Sequence, residues 1–409
     1  MNKMNKKFKD YLETVIKTEE LPFIKDIISA GGEVFNVGGK VRDELLGRES
    51  KDLDLLIRGI SLNDLEIILK RYGTVNSVGQ KFSVIKWKKF GSSEEIDIAV
   101  PRTEKKTGSK RTDFDVASDP FLPIEDDLKR RDFTINSIAK KISGEYIDPH
   151  NGLLDIKNKV IRMISSDTFD PETGDELRML RAVNFASRLG FDIESETFKA
   201  IQKNAKYIKQ TSKERITEEF IKIVKGKFKS KAVNYLIKSN LFKEIFNRSV
   251  CYADLKEFKY VNFLSEFLFL LCLNNNMDSS ELKNCISLEN TVINEYNSLN
   301  KWYKEFNPLK NDADIRMLLF ESIKFSDILF KTELKTVSGK NYINEFKNGF
   351  YPKKISDLNI NGNDLLDLGF KGKEIGKILS EILYKIYDNK LKNNFINIKE
   401  YILNENNKK

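Results

Sequence analysis

At 409 residues the chain exceeds what one hydrophobic core ordinarily serves, and with 40% hydrophobic and 32% charged residues it is globular with a densely charged surface. Its formal net charge of +9 suits a polyanionic partner, or else a lysine-rich surface held in water. Three widely spaced cysteines, a single histidine (His150) and an apolar maximum at residues 263–273 broken by Ser265 and Glu266 exclude a zinc cluster, a histidine-cluster metal site, a His–Asp phosphohydrolase site, most Ser–His hydrolase chemistry and a membrane span, and favour a reducing cytoplasm.

Phe8, Tyr11, Leu12, Val15 and Ile16 recur at helical spacing, so residues 1–29 read as helix. Residues 1–9 are basic, but no apolar signal core follows them. From Glu33 to Ile161 short β-rich runs alternate with helices. Strands are predicted at 34–37, 53–57, 75–78, 82–87 and 96–100, and Ser61-Leu62-Asn63-Asp64 is a capping-box start for a helix reaching about Arg71.

Gly38-Gly39 separates the first strand from a helix starting near Lys40. Glycine lets backbone approach a ligand closely, free N–H groups at a helix start suit phosphate, and Arg42 adds a guanidinium one turn on. A plain tight turn is the other reading of the pair. In Lys51-Asp52-Leu53-Asp54-Leu55, Asp52 and Asp54 stand two apart in an apolar run, so on a strand they share one face. Acids in such a run are unfavourable unless a cation compensates them, and two bound magnesium ions suit the transfer of a nucleotide. Asp97, in Glu95-Ile96-Asp97-Ile98, is the candidate for a third carboxylate. A solvated edge strand is the alternative for Asp52 and Asp54.

Further on, Glu125-Asp126-Asp127-Leu128-Lys129-Arg130-Arg131-Asp132-Phe133-Thr134-Ile135-Asn136 reads as one helix, with Arg131 toward triphosphate or ribose and Asp132 holding it. A salt-bridged surface helix is equally compatible. Asp148-Pro149-His150-Asn151-Gly152 reads as a turn. Asp175 and Arg178 stand at i, i+3 and can brace one another, offering an acceptor beside donors that suits the edges of cytosine and adenine; an exposed ion pair is the competing view. After about Asp167 the strand pattern gives way to amphipathic helix, with Asn-rich breaks near 274–276 and 307–311. Ile375, Ile378, Leu379, Ile382, Leu383 and Ile386 form a helical stripe, read as packing.

In this order and at these distances, Val-Gly-Gly-x-Val-Arg-Asp with Lys-Asp-x-Asp, Arg-Arg-Asp-Phe-Thr-Ile-Asn, and Asp-x-x-Arg-x-x-Arg resemble the class II CCA-adding tRNA nucleotidyltransferases and their poly(A) polymerase relatives. Residues 148–162 look like the hinge between head and neck, and 360–366 with 369–376 look like the bacterial tail. The resemblance implies an α+β chain: a polymerase-β-like head at 1–165, then an all-α neck at 166–235, body at 236–350 and tail at 351–409. It further implies catalytic, metal-binding Asp52 and Asp54 with magnesium, and contacts from Gly39, Arg42, Arg131, Asp175, Arg178 and Arg181 to ATP or CTP. The loop 102–111 looks like the segment implicated in switching from C to A, and the helical body and tail would clamp the acceptor and T arms of tRNA. Monomer and homodimer are both compatible. Two positions depart from the family pattern: Gly174 stands where Glu usually precedes the Asp, and Asn184 where a further arginine often lies. Those departures keep C-only, A-only and oligo(A) addition open as rivals; a rival of another class, a tRNA-binding protein without catalysis, is opposed by the intact Asp52/Asp54 pair.

Overall fold

In the computed structural model the described residues are 21–48, 54–76, 84–93, 95–106, 114–248, 255, 258, 261–272, 277–305, 313, 316–317 and 348–406. They fall in two units, Met1–Ser249 and Val250–Lys409. The first unit opens with α1 (Phe23–Ser29), β1 (Glu33–Val37), α2 (Gly39–Leu45), β2 (Asp54–Arg58), α3 (Leu62–Lys70), β3 (Gly73–Asn76), β4 (Val84–Lys89) and β5 (Ile96–Ala99). A hairpin of β6 (Arg102–Lys106) and β7 (Phe114–Ser118) follows, then α4 (Ile124–Lys129), β8 (Ala139–Lys141) and β9 (Tyr146–Ile147). Seven strands form one sheet in the order β3-β4-β5-β2-β1-β8-β9, antiparallel except for β2 with β5. That one parallel pair needs a crossover, which α3 and the β3–β4 hairpin supply.

Both faces of the sheet are covered, which is why β1 and β2 read as nearly continuous apolar runs. Val34, Leu55, Ile57, Trp87 and Ile98 pack with Phe23 and Leu65 on one face. Phe35, Val37 and Leu56 pack with Ile124 and Leu128 on the other. Trp87 is fixed twice: its Nε1 donates to the Leu69 carbonyl at 3.0 Å, and its ring meets Phe23 edge-on. Ser61 caps α3 by accepting the Asp64 N–H, as its sequence predicts.

The rest of this unit is helical: α5 (Gly152–Asn158), α6 (Leu177–Leu189), α7 (Ser195–Asn204), α8 (Lys213–Lys225), α9 (Lys229–Lys238) and α10 (Leu241–Phe246). α6 packs against α8 and α9. The expectation that strands end by Asp167 is corrected in one place. β10 (Val160–Ile161) pairs in parallel with β11 (Asp192–Ile193), a ladder too short to leave a periodic signal. Segment 125–136 is not one helix either. α4 ends at Lys129, Phe133 is extended, and a separate 3₁₀ turn spans Thr134–Asn136. The Asp132 carboxylate causes the break by accepting the Phe133 N–H and the Asn136 side-chain amide, a local alternative to helix bonds. Around His150 the predicted turn is present, with Asp148 accepting the Gly152 and Leu153 N–H groups at the start of α5.

The second unit contains α11 (Leu264–Cys272), α12 (Ser279–Cys285), α13 (Asn290–Glu305), α14 (Gly362–Asp367), α15 (Lys373–Tyr387) and α16 (Phe395–Asn406). The stripe on α15 does pack, with Ile382, Leu383 and Ile386 buried. Of the helix predicted over residues 1–29, Phe23–Ser29 forms α1 and residues 1–20 lie outside the described residues, as do both Asn-rich breaks and the loop tip at 107–111. No helix of the described residues is long and apolar enough to cross a membrane.

Candidate active site

The Gly38 backbone, at φ +64° and ψ −127°, adopts a conformation reserved in practice for glycine. A Cβ there would lie 2.7 Å from an Arg131 guanidinium nitrogen, so the glycine also admits that side chain. From this turn α2 carries Arg42 inward, and Arg131 arrives from the end of α4. Opposite them stands α6, whose residues Arg178, Arg181, Phe185 and Arg188 follow helical spacing on one face. Met179, Leu180, Ala182, Val183 and Ala186 are buried. Together these elements line a cavity of about 600 Å³. Ten lysine and arginine side chains face three aspartates in its lining, a strongly electropositive chamber.

Hydrogen bonds lock the chamber wall. Arg42 donates to Asn136 Oδ1 at 2.6 Å and through Nε to Asp43 at 2.8 Å. Asn136 in turn donates to Asp132 Oδ1 at 2.8 Å, and Arg181 donates to Asp132 Oδ2 at 2.6 and 2.9 Å. The Phe185 ring lies beneath both Arg42 and Arg181, with guanidinium carbons 5.2 and 5.6 Å from its centroid. Burial alone would push the Asp132 carboxyl up, but Arg181, Asn136 and Arg178 outweigh it and hold it below the usual carboxylate range. Asp132 raises the Arg181 guanidinium above its ordinary value, whereas desolvation lowers Arg42 despite Asp43.

The same opposition acts on Asp127, which is fully buried beneath the chamber. It accepts Arg130 at 2.8 and 2.9 Å and Arg131 at 3.0 Å, and these two guanidiniums overcome burial to keep its carboxyl low. The expectation that Asp132 holds Arg131 is therefore corrected: Asp127 does so, and Asp132 holds Arg181 and Asn136. The expected Asp175–Arg178 brace is not formed. Asp175 accepts Arg215 at 2.6 Å and the Leu177 N–H at 3.0 Å, while Arg178 donates to the Arg130 carbonyl at 2.6 Å. Asp175 precedes α6 rather than lying within it, so i, i+3 spacing does not align the two side chains.

The structure brings Gly39, Arg42, Arg131, Asp175, Arg178 and Arg181 to this one cavity. Asp52 lies outside the described residues. Asp54 opens β2; since Asn36 pairs with Leu55, Asp54 comes level with Val37, beside the Gly38 turn. Asp54 is also in register with Asp97 on the parallel neighbour β5, which places both at one sheet position. Asp97 is exposed, and Lys86 lies 3.5 Å from it.

Residues 34–162 match the family model described as "Poly A polymerase head domain", and residues 190–250 match "Probable RNA and SrmB- binding site of polymerase A". The CCA-adding enzyme of Ligilactobacillus salivarius is 32% identical over 408 residues, covering 95% of each chain. That of Bacillus subtilis is 30% identical over 93% of this chain and 96% of its own. The chain belongs to the CCA-adding enzyme family. Two solved structures share its fold: the Bacillus stearothermophilus CCA-adding enzyme in complex with CTP, at TM-score 0.69 and 24% identity over 96% of this chain and 98% of that one, and the Thermotoga maritima CCA-adding enzyme complexed with tRNA_CCA, at TM-score 0.68 and 24% identity over 96% and 95%.

Against the pattern of the CCA-adding enzymes, Gly174 is enforced by its surroundings. A Cβ at this position would sit 2.3 Å from the Asp167 carbonyl and 2.7 Å from that of Thr168. Sequence reasoning missed Asn136, Arg188, Arg215 and Lys222 in the lining. Arg188 was findable by extending the Arg178–Arg181 helical stripe, and Arg215 and Lys222, seven apart on α8, by the same reasoning. Nothing local marks Asn136 as the partner of Arg42, 94 residues away.

Proposed function

We propose that this chain rebuilds the 3′-terminal CCA of tRNA from CTP and ATP without a nucleic-acid template, releasing pyrophosphate. The observation that carries this reading is the convergence of Gly39, Arg42, Arg131, Asp175, Arg178 and Arg181 on one electropositive cavity. In the proposed mechanism Arg42 and Arg131 hold the triphosphate, and their rigid mounting on Asn136 and Asp127 fixes the α-phosphorus for in-line attack. Asp175, Arg178 and Arg181 take the sugar and base end.

The family's chemistry takes a divalent metal ion, and magnesium is the one we assign. Asp52 and Asp54 would hold it; hard carboxylate oxygens suit it, and the Asp54–Asp97 register places acidic residues on neighbouring strands. Held there, it would supply Lewis-acid activation of the tRNA 3′-hydroxyl and charge stabilisation for the leaving pyrophosphate. Head 1–165, neck 166–235, body 236–350 and tail 351–409 would divide catalysis, base recognition and tRNA clamping, in the cytoplasm. Gly174, by removing a carboxylate, favours one rival, a relative of narrowed activity adding only C, only A or oligo(A).

The test supplies protein and magnesium with tRNAs lacking CCA, ending in C and ending in CC, giving each nucleotide singly and then CTP with ATP. Two C additions followed by one A, then arrest, is the expected product; unlimited A tailing or C-only addition refutes it. Asp52→Ala and Asp54→Ala should each abolish product while leaving the thermal melt intact. Activity surviving in either variant removes the metal role.

A further inference from the structure

The chamber is crowded with donors, and its acceptors are nearly all engaged. Asp43 holds Arg42, Asp132 holds Asn136 and Arg181, Asp175 holds Arg215 and the Leu177 N–H, and Asn136 Oδ1 takes Arg42. Asn184 differs. It lines the same cavity and is only 2% exposed, yet among the described residues its Oδ1 has no donor. A buried acceptor left this way destabilises the fold unless something bonds it.

Its orientation is chemically determined. Asn184 Nδ2 donates to Glu219 Oε2 at 2.7 Å, and Lys222 donates to Glu219 Oε1 at 2.7 Å. Both Glu219 oxygens thus already act as acceptors, one toward Asn184 and one toward Lys222. Flipping the amide would set oxygen against oxygen, so the oxygen must be the free end. Resting on the reading of the cavity as a CTP and ATP site, we propose that Asn184 Oδ1 accepts an N–H of the exocyclic amino group of the incoming base, with Glu219 as the positioning residue that aims it. Cytosine and adenine carry that group at the corresponding edge; uracil carries a carbonyl, which the oxygen repels. An arginine here would form an ion pair with Glu219 and supply no acceptor. The departure at Asn184 therefore adds a base-reading group of this chain's own.

The experiment compares CTP with the triphosphate of 2-pyrimidinone riboside, and ATP with that of purine riboside, each analogue lacking only the amino group. Binding is measured by calorimetry on the full chain, and kcat/KM on tRNAs lacking CCA and ending in CC. One lost neutral hydrogen bond corresponds to about a tenfold preference for the amino base. That preference should collapse toward unity in Asn184→Leu, and fall partway in Glu219→Gln, whose amide can turn its own N–H onto Oδ1. A parallel 2′-deoxy-CTP arm should show no change between wild type and either variant. Amino preference unchanged in both variants, or a loss confined to the 2′-deoxy arm, overturns the assignment. Binding preference retained without any incorporation would instead leave the assignment standing and remove the proposed function.

Discussion

At the residue scale, most of the chamber's charge is not free to bind anything until it has been held in place. Asp127 shows the cost of that holding, since it is buried with two arginines that each expose less than a fifth of their side chain. Asp127→Asn leaves both guanidiniums underneath the site without a counter-charge, and should lower stability by about 3 kcal/mol near neutral pH. The sign of its pH dependence follows from the depressed carboxyl. The contribution is fully present above the ordinary value of 3.8 and is lost as pH falls through the lower folded value. Melting curves of wild type and variant should therefore diverge at neutral pH and converge in acid well below 3.8; a constant offset across that range would contradict the ion-pair account. The acidic cluster and the Arg130-Arg131 pair were visible in the sequence, but which aspartate serves which arginine was not. That choice depends on where α4 stops, and Asp132's own bonds to Phe133 and Asn136 make it stop.

At the scale of elements, the strands and helices that build the site were legible because their signals are local: the Gly38-Gly39 turn, the Ser61 cap and the apolar runs of β1 and β2. What escaped was long-range pairing. Arg215 reaches Asp175 across 40 positions, and no spacing rule along one helix can announce it. Gly174 joins these two lessons. Its loop folds so tightly that Cβ has no room, which gives a direct test of whether the family's glutamate has merely been dropped. If the surrounding loop has been rebuilt around glycine, Gly174→Glu should lower the melting temperature by several degrees, the response of a mid-sized domain to a clash costing about 2 kcal/mol. It should also fail to sharpen base choice. A variant as stable as wild type with improved C-then-A fidelity would show instead that the loop accommodates the glutamate.

Across the whole molecule, the net charge of +9 was the earliest hint of a polyanion and the least specific one. The chamber now accounts for part of it, because its lysines and arginines outnumber its aspartates ten to three. A nucleoside triphosphate engages only that local cluster, whereas a tRNA would neutralise cations spread over much more of the surface. The two ligands should therefore respond differently to salt. Each tRNA phosphate neutralised contributes a slope of roughly −0.7 to −0.9 in log affinity against log salt. With six or so such contacts assumed, tRNA binding should weaken by roughly a thousandfold between about 50 and 200 mM salt, while CTP binding, resting on fewer and partly buried charges, weakens far less. Titration of labelled tRNA and of CTP against the same protein over that range measures both slopes. Equal, shallow slopes would confine binding to the chamber and leave the surface lysines as the solvated coat that composition alone also allowed.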